Sequence, residues 1–317
     1  MRSESFPVIK ALAGGYEPEW SVMIPTYRPQ EKYLRKAIES VLGQNKRAEE
    51  MQIEVVDDCT PDANVEELMK CIAGDRVAFS RTPANLGLAG CWNRCIQQSA
   101  GEWIHILHQD DYVLPGFYDR LARAARMNPE ACLLAARSFF VDEENVITGV
   151  TPWKNEFRQV IQRANEFYYT TPIQCAGVVV KRAFYETHGG YLEQLKYLID
   201  CEMWVRAICA CGGLVIPEVL ACYRVYGDGE SNRLARNGEL LHDYERLNAL
   251  FARRFNDFDR NKALDRVCSI AWTQARLFAR KGDRAAADAN MEFWKAHAPI
   301  RHKLRKYIMQ FGRALHE

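Results

Sequence analysis

The strongest constraint on the fold is an alternation running from residue 21 to residue 136. Short apolar runs of strand length take turns with apolar residues at helical spacing. Ser21-Val22-Met23-Ile24 stops at Pro25, and Leu34, Ala37, Ile38, Val41 and Leu42 follow. Ile53-Glu54-Val55-Val56 ends in Asp57-Asp58 and gives way to Val65, Leu68, Met69 and Ile72. Val77-Ala78-Phe79 precedes the stripe Leu88, Trp92, Cys95 and Ile96. The run Trp103 to Leu107 ends just before Asp110-Asp111, and Phe117, Leu121, Ala124 and Met127 lead on to the run Cys132 to Ala136. Each connection is long enough for a crossover, so the pattern predicts an α/β fold with a mostly parallel sheet flanked by helices. The near-continuous apolar strands suit a sheet covered on both faces.

In such sheets ligands bind outside the carboxyl ends of the strands. Those ends read Pro25-Thr26-Tyr27, Asp57-Asp58 and His108-Gln109-Asp110-Asp111. Two of them carry adjacent carboxylates. Adjacent carboxylates repel, and burying them without a cation is costly. A hard divalent cation removes that cost and can bridge substrate phosphates. The local alternatives are a solvated turn before Pro115-Gly116 for Asp110-Asp111, and capping through Thr60 and Asp62 for Asp57-Asp58. The first strand is not followed by G-x-G-x-x-G, and no P-loop string occurs, so dehydrogenase and NTPase readings are weak. Lys plus Arg total 42 against 41 acids, which gives no global charge for nucleic acid.

The eleven cysteines show no paired spacing for a zinc site and read as free thiols of a reducing cytoplasm. The first residues carry Glu4 and lack an apolar core, so no secretory signal is expected. The longest apolar run, 207–216, is broken by Gly212-Gly213 and falls short of the ~20 residues of a membrane span.

The strings Ser21 to Tyr27, Val55-Val56-Asp57-Asp58, and Gly101-Glu102-Trp103-Ile104 leading to Asp110-Asp111 resemble the family-2 glycosyltransferases. So do Gly189-Gly190-Tyr191 and Asp200 followed by Trp204-Val205-Arg206. The resemblance covers about residues 20 to 230 in order and spacing. It implies the GT-A fold, a nucleotide-diphospho-sugar donor, a divalent cation (Mn2+ or Mg2+), and inversion at the anomeric carbon. By the same resemblance Pro25 and Tyr27 line the nucleobase, and Asp58, with Asp57 beside it, hydrogen-bonds the base. Asp110 matches the last residue of the family's Asp-x-Asp and is the expected metal ligand, with Asp111 beside it. Asp200 matches the catalytic base, a role that suits a carboxylate at a helix start. A plain N-cap is its local alternative. Tyr27 and Asp58 favour a UDP-linked donor, because a carboxylate can accept from the uracil N3–H.

Two residues depart from the family pattern. His108 replaces the first Asp of Asp-x-Asp, and Tyr226 stands where the family often has a metal-facing His. Both changes imply a weakly held cation, with His108 reading as a core or supporting residue. The aromatic segment Trp153 to Tyr169 lies where the family binds its saccharide or glycolipid acceptor, and ordinary packing is its local alternative.

From about Asn237 the pattern is helical throughout, which predicts a glycosyltransferase domain over 1–235 and an all-helical appendage over 236–317. Within it, Ile300 to Arg313 carries five Lys or Arg and no acid, with Leu304, Ile308 and Phe311 on one side. Such a helix can lie on anionic lipid, which gives peripheral contact with the inner membrane face, and a terminal helix docked on the domain is its alternative. The sequence reading is a cytoplasmic, metal-assisted, inverting glycosyltransferase that builds a surface polysaccharide or glycolipid. The rivals are a nucleotidyltransferase, which lacks its Gly-rich entry loop here, and a nucleotide-sugar-binding protein without turnover.

Overall fold

Each apolar run of the first half forms a strand, and each helical stripe packs on the sheet those strands build. The computed structural model describes residues 6–11, 15, 17–227 and 229–304. Strands β1 (Trp20–Thr26), β2 (Met51–Asp57), β3 (Ala78–Arg81) and β4 (Trp103–Ile106) alternate with helices α1 (Glu31–Leu42), α2 (Val65–Ala73) and α3 (Gly87–Gln98). They pair in parallel in the order β3-β2-β1-β4, with Trp20 opposite both Met51 and Trp103. Thr26 lies opposite Asp57, and Asp57 opposite Arg81, so these strands finish flush. That edge is the platform for the site.

The chain continues through β5 (Tyr112–Val113), α4 (Phe117–Met127), β6 (Leu133–Val141), β7 (Ile147–Val150), β8 (Val178–Lys181), α5 (Arg182–His188), α6 (Ile199–Cys211) and β9 (Gly213–Arg224). Beyond β4 the sheet is mixed: β8 is antiparallel to β4 and β6, β9 is parallel to β6, and β5 is antiparallel to β9. Strands β5, β7 and β9 escape the sequence periodicity. β5 has two residues, β7 pairs only with β6 and exposes Ile147 and Val150, and β9 is interrupted by exposed Pro217 and half-buried Glu218.

Two positions show how closely the layers approach. A Cβ on Gly101 would lie 2.5 Å from the Ser21 amide nitrogen, so only glycine lets this turn pass beneath β1. The Ser21 hydroxyl accepts from the amides of Ala100 (3.0 Å) and Gly101 (2.7 Å) and fastens the turn there. His105 is fully buried on β4, between the Tyr118 hydroxyl at 3.0 Å and the Ala176 carbonyl at 3.1 Å. Burial pushes its pKa down to about 3. It is therefore a neutral core residue whose Nε2–H donates to Ala176 while Nδ1 accepts from Tyr118.

The expectation of free thiols fails at one pair. Cys132 and Cys211 form a disulfide with a Cα–Cα distance of 5.7 Å, joining the start of β6 to the last residue of α6. The sequence separation of 79 residues hid a pairing that the β6–α6 packing creates. The other nine cysteines lie outside this bridge.

A second compact unit comprises Tyr168–Thr170 and the chain from Tyr226 onward. Its described helices are α7 (Glu230–Arg236), α8 (Glu239–Arg254), α9 (Arg260–Arg280) and α10 (Arg284–His297). Asp259 and Asp283 accept backbone N–H bonds at the starts of α9 and α10. The core gathers Leu241, Val267, Ala271, Phe293 and Trp294, with the Trp272 and Trp294 rings 4.6 Å apart. Among the described residues no helix is long and apolar enough to cross a membrane.

Candidate active site

The end of β2 places two carboxylates in different surroundings. Asp57 is fully buried, accepts from the Thr60 amide (3.1 Å) and hydroxyl (2.5 Å), and meets Arg81 Nε at 3.1 Å. Those partners fix the loop after β2. Asp58 is also buried, but its carboxylate accepts from the Leu86 amide (2.8 Å), the Gly87 amide (3.0 Å) and the Thr82 hydroxyl (3.0 Å). It therefore sits at the start of α3, where unpaired amides and the helix dipole favour an anion. Oδ2 takes one of these bonds and keeps a lone pair for a ligand N–H. The start of α2 is capped by Asn64, not by Thr60 or Asp62.

Pro25 is half-buried, and the Tyr27 side chain is exposed beside it. Gln109 fixes Tyr27 from the loop after β4: the Tyr27 amide donates to Gln109 Oε1 (2.9 Å), and Gln109 Nε2 donates to the Tyr27 carbonyl (3.2 Å). The sequence reading passed over Gln109. A polar residue between His108 and Asp110 was the available signal. Arg28, at φ 46°, turns the chain and gives its amide to the Thr60 hydroxyl at 3.0 Å.

Beyond Gln109 the structure brings together three potential metal ligands. Donor atoms of His108, Asp110 and Asp111 all lie within 4.8 Å of one another. Asp111 is 1% exposed; its Oδ1 accepts from the Arg224 amide at 2.8 Å, while Oδ2 has no hydrogen-bond donor. His108 Nδ1 stands 3.5 Å from the Asp111 carboxylate. Burial, with the charge of Asp110 adding to it, pushes the Asp111 pKa up to about 6. Burial lowers the pKa of His108, but Cys175 and Asp111 together outweigh it and hold the imidazole well above its ordinary value.

Arg224, which no sequence motif singles out, holds this loop. Its Nε donates to the Asp110 carbonyl at 2.9 Å, and its two terminal nitrogens reach the Asp142 carbonyl (2.6 Å) and Asn145 Oδ1 (2.8 Å). The guanidinium also lies over the Tyr33 ring at 4.2 Å.

Asp200 lies in the first turn of α6, one residue past the first helical position. It is therefore not the N-cap; that position belongs to Leu198. The carboxyl is half-buried, accepts from the Cys201 amide at 2.7 Å, and has its pKa raised chiefly by desolvation. His108 opposes that rise, and Asp200 acts in turn on Cys175 and Tyr191, so these side chains share one electrostatic neighbourhood. Glu202 is committed elsewhere. It forms a buried ion pair with Arg206 at 3.0 Å, and Arg206 also donates to the carbonyls of His188, Gly189 and Gly190. The Gly189-Gly190-Tyr191 string has a packing reason as well. A Cβ on Gly190 would fall 2.2 Å from Asn93 Oδ1, and Asn93 bonds both the amide and the carbonyl of Tyr191.

Most of the aromatic segment takes the packing alternative. Phe157 and Phe167 are buried and pack together at 6.3 Å, and Tyr168 and Tyr169 are buried against Phe251, Phe255 and Phe258 of the helical unit. Only Trp153 keeps partial exposure, so the other rings are spent on packing. Most of the basic segment Ile300 to Arg313 lies outside the described residues. Its described start exposes Ile300 and Leu304 while His302 is buried and accepts from Trp294 Nε1 at 3.2 Å. Tyr226 belongs to the second unit, and its carbonyl accepts from Asn232 at 2.6 Å.

With this geometry in view, the chain is similar to known proteins at several levels. Residues 21–189 match the domain described as glycosyl transferase family 2. An uncharacterized glycosyltransferase of Methanocaldococcus jannaschii is 26% identical over 238 residues, covering 73% of this chain and 79% of the relative. The poly(ribitol-phosphate) beta-N-acetylglucosaminyltransferase TarS of Staphylococcus aureus is 30% identical over 96 residues, which are 30% of this chain and 17% of TarS. The crystal structure of TarS residues 1–349 with UDP-GlcNAc superposes with a TM-score of 0.62 at 17% identity, covering 90% of this chain and 82% of that one. A Pyrobaculum calidifontis mannosyltransferase with GDP-Man and Mn2+ gives a TM-score of 0.56 at 16% identity, over 95% of this chain and 81% of that one.

Proposed function

The chain belongs to glycosyl transferase family 2, and on that premise we propose that it moves a sugar from a UDP-linked donor to a saccharide or glycolipid hydroxyl with inversion. Membership makes it a glycosyltransferase and removes the nucleotidyltransferase alternative. The observation that carries the reading is convergence at one sheet edge. Tyr27 and the free Oδ2 lone pair of Asp58 follow β1 and β2, and Asp110 and Asp111 follow β4. Asp200 shares the electrostatic neighbourhood of His108.

Each residue then has a task that its surroundings suit. Tyr27, fixed by Gln109, stacks on the base. Asp58 accepts from the uracil N3–H, while Pro25 and the loop held by Asp57 shape the wall. Asp110 and Asp111 would hold Mn2+ or Mg2+, which the undonated Asp111 Oδ2 suits. A divalent cation supplies positive charge against the leaving diphosphate. Asp200 takes the proton of the acceptor hydroxyl as its oxygen attacks the sugar carbon. Desolvation, which raises its pKa, makes it the stronger base.

The charge of the basic segment 300–313 supports work at the inner membrane face, on acceptors of surface polysaccharide. This part of the proposal is supported by the segment's charge alone. The donor is tested by thermal shift of the full chain with UDP and GDP, each with and without Mn2+. UDP with Mn2+ is expected to stabilise most, and a clear preference for GDP would reject the uracil contact.

A further inference from the structure

Helix α6 is seated at two points. In its middle, Arg206 pairs with Glu202 at 3.0 Å and donates to the carbonyls of His188, Gly189 and Gly190. At its end, Cys211 is bonded to Cys132, the residue just before β6. Arg206 stands about 9 Å along the helix axis from Asp200. A tilt of roughly three degrees about Arg206 would therefore move Asp200 by ~0.5 Å, the margin within which a catalytic group must be held. The bridge at the far end fixes that tilt.

The two sulfurs are unequally placed. Cys132 is buried, whereas Cys211 is half-buried at the helix terminus, so a thiol from solvent reaches Cys211. Acceptors for an opened pair are already in position. Cys132 Sγ lies 3.5 Å from the Ala207 carbonyl and 3.8 Å from that of Gly212, and Cys211 Sγ lies 3.7 Å from Ala207. The corner beyond the bridge is Gly212, at φ 87°. Strand β6 keeps its place without the bond, because Leu133 pairs with both Val180 of β8 and Gly213 of β9. In a reducing compartment such bridges are mostly transient and redox-sensing.

We propose that Cys132–Cys211 is a redox-sensitive modification site that controls turnover through the seat of α6. A thiol of the glutathione class opens it, and the corresponding disulfide closes it. The inference rests on the reading of Asp200 as the base given above. In opening, the reductant thiolate attacks Cys211 Sγ, the bridge breaks, and Cys132 leaves as a thiolate. A second reductant thiolate attacks the reductant sulfur of the mixed disulfide and releases Cys211. Two reductant thiols are oxidised to one disulfide, and their two protons end on Cys132 and Cys211. Weak S–H contacts to Ala207 and Gly212 then replace a covalent bond, and the end of α6 is released at the glycine corner.

The test uses the full chain in mixtures of reduced and oxidised glutathione. Alkylation with mass spectrometry counts the thiols at Cys132 and Cys211, and both should open in reduced glutathione and close in oxidised. Hydrogen exchange of residues 198–206, remote from the bridge in sequence, should be about threefold or more faster in the open form. UDP release from a panel of UDP-sugars should show kcat lower by roughly threefold to tenfold in the open form. KM for the donor should hold, because Tyr27 and Asp58 follow β1 and β2. Cys211→Ser should match the open form in either buffer, and Cys132→Ala serves if that variant does not fold. A bridge that stays closed in reduced glutathione, exchange at 198–206 equal in the two forms, or equal kcat in the two forms overturns the proposal. A kcat response to oxidised glutathione that persists in Cys211→Ser does so too. Unchanged UDP release by Asp200→Asn would instead overturn the reading of the base.

Discussion

Asp200→Asn should separate chemistry from stability in opposite directions. The amide keeps the shape and can still accept from the Cys201 amide, now 2.7 Å away, but it cannot take a proton. Loss of a general base lowers turnover by about 10²–10⁴-fold, or ~2.7–5.4 kcal/mol of barrier. Stability should move the other way. Desolvation raises the Asp200 pKa above its ordinary 3.8, so the folded protein binds this proton more tightly than the unfolded chain. The carboxyl therefore lowers stability as pH rises from about the unfolded value through the folded one. Below that window both states are protonated and the handicap disappears. The Asn variant should thus be at least as stable as the wild type at neutral pH, with its advantage fading in acid. Steady-state kinetics and urea unfolding at neutral and acidic pH give both readings on one preparation. Near-normal turnover would remove Asp200 from the chemistry. A large stability loss at neutral pH would show that the side chain is structural and the desolvation reasoning wrong.

Glu202→Ala leaves the Arg206 guanidinium buried without its partner, and should cost about 3–5 kcal/mol in denaturant unfolding. A variant of unchanged stability would mean that the three carbonyl contacts of Arg206 suffice. Gln109→Leu removes both bonds to the Tyr27 backbone, so UDP affinity by calorimetry should fall roughly twofold to tenfold while the melting temperature barely moves. Ending the chain after Leu304 keeps His302 on Trp294 and should weaken binding to anionic liposomes without lowering turnover of a water-soluble acceptor. Equal liposome binding by the shortened chain would discard the membrane contact.

The parallel half of the sheet was legible because strands buried on both faces and amphipathic helices leave different periods in the sequence. β5, β7 and β9 were not, because a two-residue strand, an exposed edge and an interrupted strand carry no clear period. The Asp57-Asp58 and Asp110-Asp111 pairs stood out by their chemistry. Their division of labour did not, because Asp57 turns inward to Thr60 and Arg81 while Asp58 meets α3, and only tertiary packing decides that. Gln109 and Arg224 act through backbone atoms of distant loops, and such contacts leave no motif. His108 reads as a departure from the motif, and only tertiary packing sets its imidazole beside Asp111 and Trp92.

Helix α3 also bears on how this enzyme can be re-engineered. Its first amides rest on Asp58, its Trp92 braces His108, and its Asn93 holds the Tyr191 turn ahead of α6. One helix thus touches Asp58, His108 and the turn that precedes Asp200. Changes made at these places will not combine as independent steps, because each alters the seat of the same helix. A donor-specificity swap at Asp58 is expected to carry a hidden change in metal response. Libraries that vary Asp58 should therefore vary Trp92 and His108 in the same molecules, where compensating pairs can be found that stepwise selection would miss.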